Sequence, residues 1–161
     1  MTRQEFITEV KAGQGAFRRF LIGLCCGDSS LADDIAQEAY LKAWLSIDNF
    51  RKEANLDTWI RKIAINTFLN IKRSKKIFSE INESSLEILA NENDDVNLKY
   101  QFLYEALKLL SEKERSAILL FYLENYSIAE IATITDNSVN AVKKQLSRGR
   151  ENLRKIIPSI S

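Results

Sequence analysis

The side chains best suited to chemistry crowd into residues 140–150: Asn140, Lys143, Lys144, Gln145, Ser147, Arg148 and Arg150. Lys and Arg meet phosphates or guanine edges, and Asn or Gln can pair with adenine. The same stretch spaces Val139, Val142 and Leu146 as the buried stripe of a helix. Just before it, Ile128, Ile131, Ala132 and Thr135 fall on one side of a shorter helix. Asp136-Asn137 joins the two with residues that tolerate left-handed backbone, and Ser138 can cap the second helix. Short helix, tight turn and basic helix make the layout of a helix-turn-helix, whose second helix enters a DNA major groove. A surface helix pair with a solvated basic face shows the same pattern.

A second set lies upstream. Lys62, Asn66 and Asn70 recur every four residues, so a helix stacks them on one face. Lys72-Arg73-Ser-Lys-Lys follows. A cation, two amides and a basic end suit hydrogen bonding to bases with phosphate contact. A merely soluble helix face is the alternative. The other side of this helix, expected over 59–76 with Asp57 or Thr58 as its cap, carries Trp59, Ile60, Ile63, Ala64, Thr67, Phe68 and Ile71. Trp44 and Trp59 suit the core better than base stacking. A third set, Asp33, Asp34, Gln37 and Glu38, opens a helix expected from a Ser29 or Ser30 cap to Trp44. The helix dipole alone favours acids there, which is a structural reason for Asp33 and Asp34 as good as a binding one.

The elements that must position these residues read as helices throughout. Apolar residues recur at three- and four-residue spacing, no long stretch alternates with period two, and the 161 residues hold one proline and five glycines. The expected class is all-α, as two small helical domains. The first covers 1–78 and begins with helices over Thr2–Lys11 and from Gln14 or Ala16 to Cys26. The second covers 98–161. Between them, 79–97 is rich in Asn, Ser and acid and reads as a flexible linker, with a helical turn at Leu86–Leu89 at most.

The net charge of +1 hides a partition: residues 1–78 carry 13 Lys/Arg and 9 Asp/Glu, 79–98 carry six acids and no cation, and 99–161 carry 10 and 7. Two basic blocks, 58–78 (Arg61, Lys62, Lys72, Arg73, Lys75, Lys76) and 138–155, suggest two contacts with a polyanion. Histidine is absent, which removes the commonest general base and metal ligand. Cys25 and Cys26 are adjacent and read as small buried hydrophobes. No metal, no cofactor and no catalytic constellation is expected. The start Met-Thr-Arg-Gln-Glu-Phe has no apolar core behind it, and no run approaches the ~20 residues of a membrane span. The expectation is a cytoplasmic protein that does not insert into membranes.

Together these segments resemble the extracytoplasmic-function sigma factors of bacterial RNA polymerase. Ala32-Asp-Asp-Ile-Ala-Gln-Glu-Ala-Tyr-Leu-Lys-Ala-Trp44 looks like that family's polymerase-clamp-binding helix. Phe50-Arg and Thr58 to Thr67 look like its loop and helix for the downstream, minus-ten promoter element. Leu110 to Ala132 looks like the entry to its C-terminal domain, and Lys143 to Arg150 falls on the helix for the upstream, minus-thirty-five element. The resemblance implies that Asp33, Asp34, Gln37 and Glu38 bind polymerase. It implies that Phe50, Arg51, Asn55, Lys62, Asn66, Asn70, Lys72 and Arg73 meet the opened downstream DNA. It implies that Asn140, Lys143, Lys144, Gln145, Ser147, Arg148 and Arg150 meet the upstream DNA. The implied activity is promoter-specific initiation with help in opening the duplex, by a monomer that is not an enzyme. Its implied partners are core RNA polymerase, promoter DNA and an anti-sigma factor, often tied to the membrane. The chain departs from the family in a short second helix, Phe17 to Gly27, ahead of the clamp-binding motif, at Asp136, where glycine is usual, and at Asn140-Ala-Val-Lys-Lys-Gln. Two rivals are a dimeric helix-turn-helix regulator and a helical scaffold with no DNA role; the second leaves both basic blocks unexplained.

Overall fold

The computed structural model describes residues 1–51, 55–81 and 98–156. Among them the ordered elements are all helical: α1 (Arg3–Leu24), α2 (Ser29–Leu45), α3 (Leu56–Ile81), α4 (Leu98–Lys108), α5 (Glu112–Ile118), α6 (Ile128–Thr135) and α7 (Val139–Ile156). A 3-10 turn, Ile47–Asn49, follows α2, and a wide π turn, Leu119–Leu123, continues α5.

The two helices expected before Cys26 are one. Thr2 caps α1 with a capping box to Glu5, and the helix runs through Gly13 and Gly15 without a break. Each glycine costs about 1 kcal/mol of helix propensity. Phe6, Phe17, Phe20, Leu21 and Leu24 are all buried on one side of α1, and their packing outweighs that cost. The helix stops at Cys25-Cys26-Gly27. Gly27 has φ 93°, and a Cβ there would lie 2.8 Å from the Tyr104 ring of α4. Glycine is needed twice, for the backbone and for the close approach.

Asp28, and neither Ser29 nor Ser30, caps α2, with its carboxylate accepting from the Leu31 N–H. Neither Asp57 nor Thr58 begins α3, which starts earlier, at Leu56. Asn55 caps it: its Oδ1 accepts from the Asp57 N–H at 2.9 Å, and its carbonyl accepts from Trp59 at 3.1 Å. α3 also runs past 76 to Ile81, so residues 79–81 of the expected linker are helical. The rest of that linker, including Leu86–Leu89, lies outside the described residues.

Helices α1, α2 and α3 pack as a bundle whose core includes Phe20, Ile35, Ala39, Ile60, Ala64 and Phe68. Helices α5, α6 and α7 form the second group around Leu120, Ile131, Ile134, Val142 and Leu146. Gly149 lets α7 lie against α5, since a Cβ there would sit 2.7 Å from Ile118 Cγ1. The two groups share one continuous apolar core. No helix among the described residues is long and apolar enough to cross a membrane.

Candidate nucleic-acid interface

The helix-turn-helix forms where the sequence placed it. Ser127 caps α6 through a capping box with Glu130. Asp136 ends it in left-handed backbone, φ 57° and ψ 41°, and both Asp136 and Asn137 donate to the Ala132 carbonyl. Ser138 Oγ then accepts from the Ala141 N–H at 3.1 Å and starts α7. Two details of the expected packing change. Val139 is 42% exposed rather than buried, because the buried stripe of α7 is Val142, Leu146 and Gly149. On α6, Ile134 is fully buried while Ile128 and Thr135 are only half so.

Opposite that stripe, Asn140, Lys143, Lys144, Ser147 and Arg148 are all exposed. They make a continuous polar and cationic face on one helix, of the size and kind that enters a major groove. Two expected members sit at its margin. Gln145 is half-buried, and its Oε1 is shut off from solvent with no hydrogen-bond partner. Arg150 is half-buried, and its Nη1 donates to the Tyr122 hydroxyl at 3.2 Å.

Helix α3 presents Asn66, Asn70 and Arg73 exposed along one line, with Lys62 half-buried at its start. Other expected members are committed to the fold. Phe50 is half-buried and stacks on Trp59, ring centroids 5.0 Å apart. Asn55 caps α3, while Arg51 stays exposed. Lys72 is half-buried with its ammonium 5.7 Å from the Phe68 ring centre. Trp44 and Trp59 are partly buried against the core, as their types suggested.

Arg61 was counted among the exposed cations, and the structure buries it. Its side chain is 5% exposed and forks onto Glu124, itself 11% exposed, with Nη2 2.9 Å from Oε1 and 3.1 Å from Oε2. Sequence offered one signal: Arg61 stands between Ile60 and the pair Ala64-Ile65, inside the apolar stripe. Arg115 is the second buried cation, donating to the carbonyls of Leu107 at 2.9 Å, Leu24 at 3.0 Å and Leu110 at 3.1 Å.

On α2, Asp34, Gln37 and Glu38 are exposed on one face, and Leu41 and Leu45 continue it at 57% and 72% exposure. The two leucines were missed as surface residues. Asp33 turns aside to Arg18 of α1, 3.0 Å away, and Glu38 pairs with Lys42 at 3.2 Å. Both pairs are half-exposed and weak.

The surroundings of both thiols disfavour the thiolate. Burial pushes the Cys25 thiol up to about 12, and burial also raises Cys26. A nucleophilic thiol needs the opposite shift. Among the described residues no group of His, Cys, Asp or Glu is placed to hold a metal ion.

The halves of this arrangement match two known domains. Residues 10–77 match the family model "Sigma-70 region 2", and 101–153 match "Sigma-70, region 4". The chain is 32% identical over 143 residues to the ECF RNA polymerase sigma factor SigW of Bacillus subtilis, covering 80% of this chain and 76% of that one. It is 30% identical over 142 residues to the ECF RNA polymerase sigma-E factor of Escherichia coli, covering 79% and 74%. The fold matches the sigma factor RpoE of Bartonella quintana, solved in complex with the anti-sigma factor NepR, with a TM-score of 0.81 at 26% identity, over 96% of this chain and 98% of that one. The chain belongs to the ECF sigma factors, the non-enzymatic factors that direct promoter-specific initiation by bacterial RNA polymerase.

Proposed function

We propose that this sigma factor divides its work among three helices. The exposed face of α2, from Asp34 through Gln37 and Glu38, docks on core RNA polymerase, where complementary charge would steer association. Asn66, Asn70 and Arg73 on α3, with Lys62 and Arg51 at the margins, hold the opened strand of the downstream element. Amides suit base edges, and cations follow the backbone. Asn140, Lys143, Lys144, Ser147 and Arg148 on α7 enter the major groove of the upstream element. Asp33, Phe50, Asn55 and Lys72 support these surfaces from behind, through Arg18, Trp59, the α3 terminus and Phe68 respectively. Gln145 and Arg150 border the groove-facing surface. The observation that carries this reading is the unbroken cationic face of α7 on a capped helix-turn-helix.

The factor works in the cytoplasm as a monomer and is held in check by an anti-sigma partner. Support for that partner is the likeness to a sigma factor crystallised with one. Reconstitution of the chain with core polymerase and sequencing of transcript starts tests the function directly. Starts should share two sequence elements upstream. Asp34→Lys with Glu38→Lys should reduce core pull-down at least tenfold with helicity unchanged. Normal core binding by that double variant would remove α2 from the docking role.

A further inference from the structure

We infer that the cleft between α3 and the helix-turn-helix is a binding site for a small phosphate ester that carries hydroxyl groups, a sugar phosphate or a nucleoside monophosphate.

The cleft offers about 280 Å³, at the lower edge of the roughly 300–1,000 Å³ of small-molecule sites. Helix α3 lines it with Asn66 and Arg73, which share a face of the helix, and with an apolar strip of Ile65 and Leu69. Helix α5 brings Lys113 and Ser116, one turn apart, and the end of α6 brings Thr135, Asp136 and Asn137.

The donors come first. Arg73 and Lys113 are exposed, and neither forms an ion pair among the described residues. Two unpaired cations lining one cleft repel each other and attract an anion. A phosphate monoester is close to dianionic at pH 7 and matches both; a carboxylate would leave one unmatched. The Arg73 guanidinium can take two phosphate oxygens through its fork, and Lys113 adds a point charge. The Asn66 and Asn137 amides supply further donors.

The remaining polar groups accept. Ser116 Oγ donates to the Glu112 carbonyl at 2.7 Å, and Thr135 Oγ1 donates to the Ile131 carbonyl at 2.7 Å. Each hydroxyl has committed its one proton and presents lone pairs. Asp136 adds an exposed carboxylate. This set suits the hydroxyl groups of a ligand, and the carboxylate repels a second phosphate, which disfavours polyphosphates. Asp136 holds left-handed backbone at φ 57°, where glycine carries no penalty. Residues kept in such conformations gather at ligand sites. It is also the position at which the chain departs from its family's usual glycine, which has no side chain to offer. A bound ester occupies Asn66 and Arg73, so it excludes the opened strand from them; that consequence, unlike the site, rests on the three-helix reading above.

Thermal unfolding of the full free chain in a phosphate-free buffer tests this with three probes: ribose 5-phosphate, AMP and inorganic phosphate. Either ester at saturating concentration should raise the midpoint by about 3 °C or more, and inorganic phosphate should raise it clearly less. A larger rise with AMP places the base on Ile65 and Leu69; an equal or smaller one assigns the site to sugar phosphates. Lys113→Ala should remove most of the rise. Lys155→Ala, which deletes the same charge from an exposed position on α7, should keep it. Asp136→Gly separates recognition from folding: its ligand-free midpoint should go up, yet the esters should lose their advantage over inorganic phosphate. No rise with any probe, an equal rise with all three, or a rise that survives Lys113→Ala overturns the site. None of these results touches the sigma-factor assignment, which stands or falls on transcription by the wild-type chain with core polymerase.

Discussion

Helices α3 and α7 carry similar numbers of cations, and the fold uses them differently. On α7 the buried side is Val142, Leu146 and Gly149, and Lys143, Lys144 and Arg148 stand opposite it in solvent. On α3, Arg61 is buried against Glu124 and Lys72 lies over Phe68, while Arg73, Lys75 and Lys76 stay exposed beyond the exposed amides Asn66 and Asn70; Asn66 and Arg73 line a cleft against the second group of helices. A count of positive residues treats the two helices as equal. Their phases against the apolar stripe do not. In the proposed function α7 meets phosphates by itself, while α3 holds a few bases by their edges and keeps its exposed cations towards one end.

Substitutions in both groups of helices test this contrast. The largest effect should come from a buried cation. Arg115→Met should cost about 3–5 kcal/mol in urea denaturation, because three backbone carbonyls lose a charged donor at a buried site. A loss under ~1 kcal/mol would mean that these carbonyls find other partners. Next come the exposed cations. Lys144→Ala should leave stability within about 0.5 kcal/mol and lower the slope of log affinity against log salt by about one. Lys72→Ala should lower that slope by clearly less, since its ammonium already rests on the Phe68 ring. Equal slopes for the two variants would erase the distinction between the helices. The smallest effect should be a gain. Asp136 sits at φ 57°, where glycine carries no Cβ penalty. Asp136→Gly should raise the thermal midpoint by an amount worth about 0.5–1 kcal/mol.

Much of this was legible in the sequence where one local rule governs. The helix-turn-helix follows from Asp136-Asn137 and Ser138, whose turn and capping roles depend on neighbours within a few residues. On α3 the periodicity gave Ile60, Ala64, Thr67 and Phe68 as buried, while Ile65 and Arg61 are buried outside the expected side and Trp59, Ile63 and Ile71 are half-buried. Failures occur where distant packing decides. Gly13 and Gly15 suggested a break in α1 that Phe6, Phe17 and Phe20 override. Ser29 and Asp57 looked like caps, yet Asp28 and Asn55 were better placed to reach the free N–H groups. The partners of Arg61 and Arg115 were out of reach of any local pattern, because Glu124 and Leu24 lie 63 and 91 residues away along the chain. Leu41 and Leu45 have core-like types but face solvent beside Asp34 and Glu38. Residue type alone gives no sign that an apolar side chain belongs to an interface.

In the proposed function two separate helices read two separate promoter elements. Hydroxyl-radical footprinting of the reconstituted holoenzyme, on a promoter taken from its own transcript starts, tests that most directly. The wild type should protect two patches about 85 Å apart, at 3.4 Å per step over some 25 steps. Lys144→Ala with Arg148→Ala should erase the upstream patch alone, and Asn66→Ala with Asn70→Ala the downstream patch alone. A single patch, or two that vanish together in either variant, would contradict the account.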